Sequence, residues 1–183
     1  MDNNKNLFSQ EINYKKYVLM GLMLLALSIA RYSKSAGSAA INISSDLSSY
    51  SVGQTFNVLV SINPSEGKID TARVKLNFSS ETLEIKDFTP SSVFTHAAGS
   101  NSYDNNTGTF SWGAGVPGGI QKTSEFGTIT FKAIKEGDAQ ITIGSGSLVL
   151  AAGENKFDGQ ESLLVYQINS ANTSSQKYSE IKT

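Results

Sequence analysis

Apolar side chains recur at every second position from Phe56 to Ile62 and again from Ala72 to Phe78, with Thr55, Asn57, Ser61, Arg73, Lys75 and Asn77 between them. A period of two marks an extended chain with one face in a core and the other in water. The same patterning, punctuated by Gly, Asn, Asp or Ser, predicts strands near 41 to 44, 55 to 62, 69 to 78, 83 to 89, 108 to 114, 126 to 134, 138 to 144, 147 to 152 and 162 to 168. No helical periodicity separates them. The chain is therefore predicted to be all-β, a jelly-roll β-sandwich of about nine strands. Residues Pro90 to Asn106 form the longest irregular piece, with room for a helical turn or an extra hairpin.

The inward positions are Phe56, Val58, Val60, Ile62, Val74, Leu76, Phe78, Leu83, Ile85, Phe110, Ile129, Phe131, Ile141, Ile143, Leu148 and Val165. Each buried side chain of this kind contributes roughly 1.5 to 3 kcal/mol, which chain entropy then largely offsets. Trp112 lies two residues from Phe110, so a regular strand turns both to the same, inward face.

The two ends break the pattern. Tyr17 to Ala30 is an uncharged apolar run of 14 residues, preceded by Lys15 and Lys16 and followed by small residues near Ala36 to Ala40. That is the layout of a signal peptide, and the run is shorter than the roughly 20 residues a membrane-spanning helix needs. Arg31 and Lys34, directly after the run, suit an uncleaved anchor instead, so both readings stand. The expected division is a signal peptide or N-terminal membrane anchor at 1–40, the sandwich at 41–168 and a disordered polar tail at 169–183. The chain is expected to be secreted or held at the extracellular face of the membrane, with membrane contact only through the N-terminal segment if it is uncleaved.

Charge and residue chemistry narrow the function. Residues 41 to 183 carry ten Lys/Arg and fourteen Asp/Glu, which gives nucleic acid no basic patch to bind. His96 is the single histidine and there is no cysteine, so a histidine-based triad, a zinc site and a disulfide framework all lack their parts. Asp104 to Gly108 begins like a calcium loop, but its Gly comes one place early and Gly115 stands where the bidentate Glu belongs; a hairpin turn needs fewer assumptions. The carboxylates are spread over turns and strand ends, with no pair singled out for glycoside hydrolysis. No catalytic residue, metal site or cofactor is expected.

Several pieces in order carry a family likeness: Gly53, Phe56, Val58 and Val60; Leu76 and Phe78; Leu83-Glu84-Ile85; Gly108 to Ala114; Gly127 to Ala133; and Phe157-Asp158-Gly159. Over residues 41 to 168 the chain resembles a cohesin domain, the bacterial module that docks dockerin-bearing enzymes onto cellulosomal scaffolds. It departs from the family where an Asp-Pro turn is replaced by Ser79-Ser80, which keeps the turn but loses its stiffness and usual side-chain acceptor. The resemblance implies a non-catalytic, exported module for dockerin-type or other surface-protein docking, linked to polysaccharide-degrading or surface assemblies. It also implies a docking face made of Thr71, Arg73, Lys75 and Asn77, with Ser111 and Gly113 beside them and Gly115 to Gly119 as a rim. Two alternatives remain open: a carbohydrate-binding module using Trp112, Tyr103 and Tyr50 as stacking aromatics, and a structural spacer of the cell surface.

Overall fold

The computed structural model describes residues 39–65, 67–159 and 162–171. The apolar run and the rest of residues 1–38, and residues 172–183 of the tail, lie outside the described residues. In chain order the described strands are β1 (Ala40–Ser44), β2 (Ser49–Ser51), β3 (Thr55–Asn63), β4 (Ile69–Phe78), β5 (Leu83–Pro90), β6 (His96–Ala97) and β7 (Ser102–Asp104). They continue with β8 (Thr109–Ile120), β9 (Ser124–Ala133), β10 (Gly137–Ile143), β11 (Leu148–Ala151), β12 (Glu154–Asn155) and β13 (Leu163–Asn169). Every strand that the alternation predicts is present. The additional ones, β2, β6, β7 and β12, have two or three residues each, too few for a period to show. The irregular piece after Pro90 holds two short strands, β6 and β7, that pair with β8.

The strands form two sheets. The smaller has the order β1-β3-β9-β5 and is antiparallel throughout. The larger runs β12-β11-β4-β10-β13-β2, with β8 on the other edge of β4 and β6 and β7 beyond it. Its one parallel pair joins β13 to β2. Phe56, Val58, Val60 and Ile62 of β3 are buried, as are Ala72, Val74, Leu76 and Phe78 of β4, so both inner faces meet in one core. Phe131 links the sheets, with its ring 5.8 Å from that of Phe56 and 5.3 Å from that of Phe78. Gly127 sits where the Phe88 ring crosses β9: a Cβ there would lie 2.5 Å from the ring and 2.7 Å from the Thr89 carbonyl oxygen. Only glycine leaves that space.

Two inward assignments are corrected. Val165 is 52% exposed, and the buried residues of β13 are Tyr166 and Ile168. Leu148 is only half-buried, and Val149 takes the core position opposite Ala72. Both strands are apolar on their two faces, so alternation leaves the parity ambiguous by one residue, and a one-residue slip inverts every side chain. The Tyr166 hydroxyl donates to Ser45 Oγ at 2.9 Å, which satisfies its polar end inside the sandwich. Burial pushes that phenol up to about 12.

The Ser79-Ser80 turn retains a side-chain acceptor after all. Ser79 Oγ accepts from the Gln140 N–H at 3.0 Å, and the Ser79 carbonyl accepts from Leu83 N–H at 2.9 Å, so the turn is tied to β10.

Candidate functional site

The outer face of the larger sheet is hollowed where two strands run short of side chains. In the β4–β8 register Thr71 lies opposite Gly115 and Arg73 opposite Gly113, while Lys75 faces Ser111 and Asn77 faces Thr109. On the other edge of β4, Leu148 lies opposite Arg73 and Leu150 opposite Thr71. On the far edge of β8, His96 pairs with Gly115. These positions enclose a shallow hollow of about 330 Å³, floored by Thr71, Arg73, Gly113 and Gly115, with Leu148 and Leu150 on one side and His96 and Ala98 on the other.

Residues 98 to 101 hold the second wall in place. The Ala98 N–H donates to the Gly113 carbonyl at 2.8 Å. Asn101 then does what a paired strand would do: its Oδ1 accepts from Gly113 N–H at 2.7 Å and its Nδ2 donates to the Gly113 carbonyl at 3.0 Å. Gly113 is consequently buried, and a Cβ there would meet Ala98 Cβ at 3.4 Å. Gly115 has room for a side chain, since the nearest atoms to a Cβ there would be the Asp70 carbonyl oxygen at 3.6 Å, His96 Cβ at 3.7 Å and the His96 carbonyl oxygen at 4.0 Å, all ordinary contacts.

The structure thus brings Thr71, Arg73 and Gly113 to the hollow and continues the same face through Lys75, Ser111 and Asn77 along β4 and β8. Lys75 lies over the β10–β11 turn, where a Cβ on Gly146 would be 3.2 Å from its Nζ. Ser147 is buried there, its Oγ accepting from Lys75 N–H at 2.9 Å and donating to the Gly144 carbonyl at 2.9 Å, so it closes the gap between β10 and β11 against β4. The walls are what the alternation misses. Leu148 is assigned inward by pattern, and His96 and Ala98 fall in the irregular piece; the signal was the Leu148-Val149-Leu150 run, apolar on both faces.

The three aromatics proposed for sugar stacking do not form a row. Tyr50 is buried with its ring stacked 3.9 Å from that of Phe56. Trp112 packs inward, 4.6 Å from Phe88 and 6.2 Å from Phe110, and its Nε1 is buried without a hydrogen-bond partner. Tyr103 is 39% exposed, on β7.

His96 is exposed, with Nδ1 3.0 Å from Thr95 Oγ1. Among the described residues, no group of three or more His, Cys, Asp or Glu is placed to hold a metal ion. Asp104 spends its carboxylate on the hairpin turn, where Oδ1 accepts from Asn106 N–H at 2.8 Å and Thr107 N–H at 3.4 Å. The Asn106 bond leads in holding its carboxyl below the ordinary range. Next to it, Asn105 reaches across to β5, accepting from Ile85 N–H at 2.7 Å and donating to the Ile85 carbonyl at 3.0 Å.

The comparisons with known proteins agree with this architecture. No curated protein sequence matches the chain. Among solved structures it is similar to the cohesin module of a family 33 glycoside hydrolase from Clostridium perfringens, with a TM-score of 0.59 and 16% identity over 74% of this chain and 100% of that one. It is also similar to the third cohesin of ScaC from Acetivibrio cellulolyticus, solved with the ScaB dockerin, with a TM-score of 0.58 and 16% identity over 72% and 99%. A third, from the Coh-OlpC–Doc435 cohesin–dockerin complex of Clostridium thermocellum, gives 0.58 and 11% identity over 74% and 96%. At such identities the likeness is one of fold. The family model of the cohesin domain, a non-catalytic module, matches residues 40–160, most of the length, and the chain belongs to the cohesin family.

Proposed function

We propose that this cohesin module docks a dockerin-type partner on the outer face of its larger sheet. The observation that carries the reading is the hollow itself: Gly113 and Gly115 remove side chains from the middle of a sheet face, and Leu148 and Leu150 stand half-buried beside the gap. A solvated face has no physical need for leucines flanking a glycine floor; a face that is covered by a partner does. Cohesins of the same fold from Acetivibrio cellulolyticus and Clostridium thermocellum were solved with dockerins, which supports the class of partner. The passage of the chain between the two sheets supports the jelly-roll wiring. In this reading the module is exported, serves an extracellular or cell-surface assembly for polysaccharide breakdown, and catalyses nothing.

The test is isothermal titration of the full chain against a panel of purified dockerin domains, alongside Gly115→Leu. Leucine at 115 points into the hollow from backbone that tolerates a Cβ, so the fold should survive and the site should be filled. The reading expects at least one dockerin to bind, with loss of about tenfold or more in Gly115→Leu. Silence across the panel, or binding indifferent to Gly115→Leu, would overturn it.

A further inference from the structure

The sandwich guards its strand edges unequally. On β13 the odd-numbered residues turn their backbone groups away from β10: Gln167 N–H donates to the Ser48 carbonyl at 3.0 Å, and the Asn169 carbonyl accepts from Val52 N–H at 2.9 Å. β2 covers that edge only from Gln167 to Asn169. Leu163 and Val165 have the same parity, so their N–H and C=O groups face the edge with no backbone partner among the described residues. Their side chains stand outward, each 52% exposed, and Leu47, one residue ahead of the Ser48 carbonyl, is 60% exposed. No other large apolar side chain among the described residues is as exposed as these three.

The edge of β5, in the other sheet, is guarded three times over. The Asn105 amide bonds both backbone groups of Ile85, at 2.7 Å and 3.0 Å; the register shifts between Ile85 and Asp87; and the strand ends at Pro90, which has no N–H. β13 has none of these devices, and Ser162 to Asn169 carries no charge. We propose that the free edge of β13 pairs with the same edge of a second copy of the chain. Set antiparallel about a two-fold axis at Leu164, the copies place Leu163 opposite Val165 of the second copy, and Val165 opposite its Leu163. Each pair exchanges both N–H···O=C bonds, so all four free groups on each copy find partners. A two-fold axis sets like charge near like charge, a repulsion that an uncharged strand avoids. The contact is short, so the dimer should dissociate on dilution. β10 separates β13 from β4, so the pairing leaves the hollow uncovered and does not rest on the docking reading.

Sedimentation of the full chain over a range of concentrations tests the pairing. The unsubstituted chain should dimerise as concentration rises, and deuterium exchange at the Leu163 and Val165 amides should slow in step. Two double variants then probe the axis: Leu163→Lys with Val165→Lys, and Leu163→Glu with Val165→Glu. Both positions are half in solvent, so each variant should keep the circular dichroism of the unsubstituted chain. Each alone sets like charges across the axis and should weaken the dimer about tenfold or more, whereas an equimolar mixture of the two should restore it. An unsubstituted chain that stays monomeric, Leu163 and Val165 amides that exchange alike at every concentration, a dimer indifferent to the substitutions, or a mixture of folded variants that associates no better than either alone would overturn the proposal.

Discussion

The two outer faces of the sandwich are built from the same alternation and end as opposites. On the smaller sheet the outward side chains largely satisfy one another: Thr130 Oγ1 donates to Asn57 Oδ1 at 3.0 Å, Thr128 Oγ1 to Glu125 Oε1 at 3.2 Å, and Lys132 and Lys86 share Glu84. On the larger sheet β8 turns Thr109, Ser111, Gly113 and Gly115 outward, with glycine at both positions in the hollow, the outward residues of β11 are leucines and those of β4 include cations without ion-pair partners among the described residues. On the first face these polar groups already have partners. The second is the face on which docking is proposed. Burial alone does not separate them, since each covers the same core; what separates them is which residue types occupy the outward half of the period.

The strongest way to break the comparison is to remove what both faces share. Phe131 bridges Phe56 of the smaller sheet and Phe78 of the larger, so Phe131→Ala should cost about 3 to 5 kcal/mol in chemical denaturation and weaken both faces together. A loss confined to one sheet in hydrogen exchange would show that the sheets are separately stable.

Glycine to alanine sharpens it next, because the same change has different consequences on the two sheets. At Gly127 the new methyl collides with the Phe88 ring and the Thr89 carbonyl, which should cost roughly 1 to 3 kcal/mol. At Gly115 it meets only ordinary contacts and should change stability by less than about 0.5 kcal/mol. Equal melting of the two variants would mean that β8 is as tightly enclosed at 115 as β9 is at 127.

Much of the core was legible because alternation reports burial directly: β3, and β4 from Ala72 onward, read correctly, whereas buried Ile69, ahead of the register shift in β4, breaks the period and was not read as inward. The proposed docking face was legible only in its middle. Thr71, Arg73, Lys75 and Asn77 follow from the parity of β4, but the walls do not follow from any period. Leu148 and Val165 misread because L-V-L and L-L-V-Y are apolar on both faces, and the choice between them is made by register against Ala72 and by the reach of the Tyr166 hydroxyl to Ser45. Asn101 carried no signal at all; a lone asparagine in an irregular stretch becomes a strand substitute only once Gly113 lies beside it.

The smallest expected effect concerns a turn of the larger sheet that also grips the smaller one. Asp104 at the β7–β8 turn accepts from the Asn106 amide, and the adjacent Asn105 grips the Ile85 backbone of the smaller sheet. The amide bonds favour the charged carboxylate, so its titration in the folded chain lies below that of an unfolded aspartate. A depressed carboxyl contributes its stability above the unfolded value and loses it as pH falls through the folded one, so the turn should hold at neutral pH and loosen only in strong acid. Following the Asn106 and Ile85 amide shifts by NMR as acid is added should give a common midpoint below the ordinary carboxylate range. Asp104→Asn keeps an oxygen acceptor but cannot titrate, so it should preserve both amide positions at neutral pH and abolish that step. A midpoint at the ordinary value, or an Ile85 amide that ignores Asp104, would mean that Asn105 holds β5 without help from the turn.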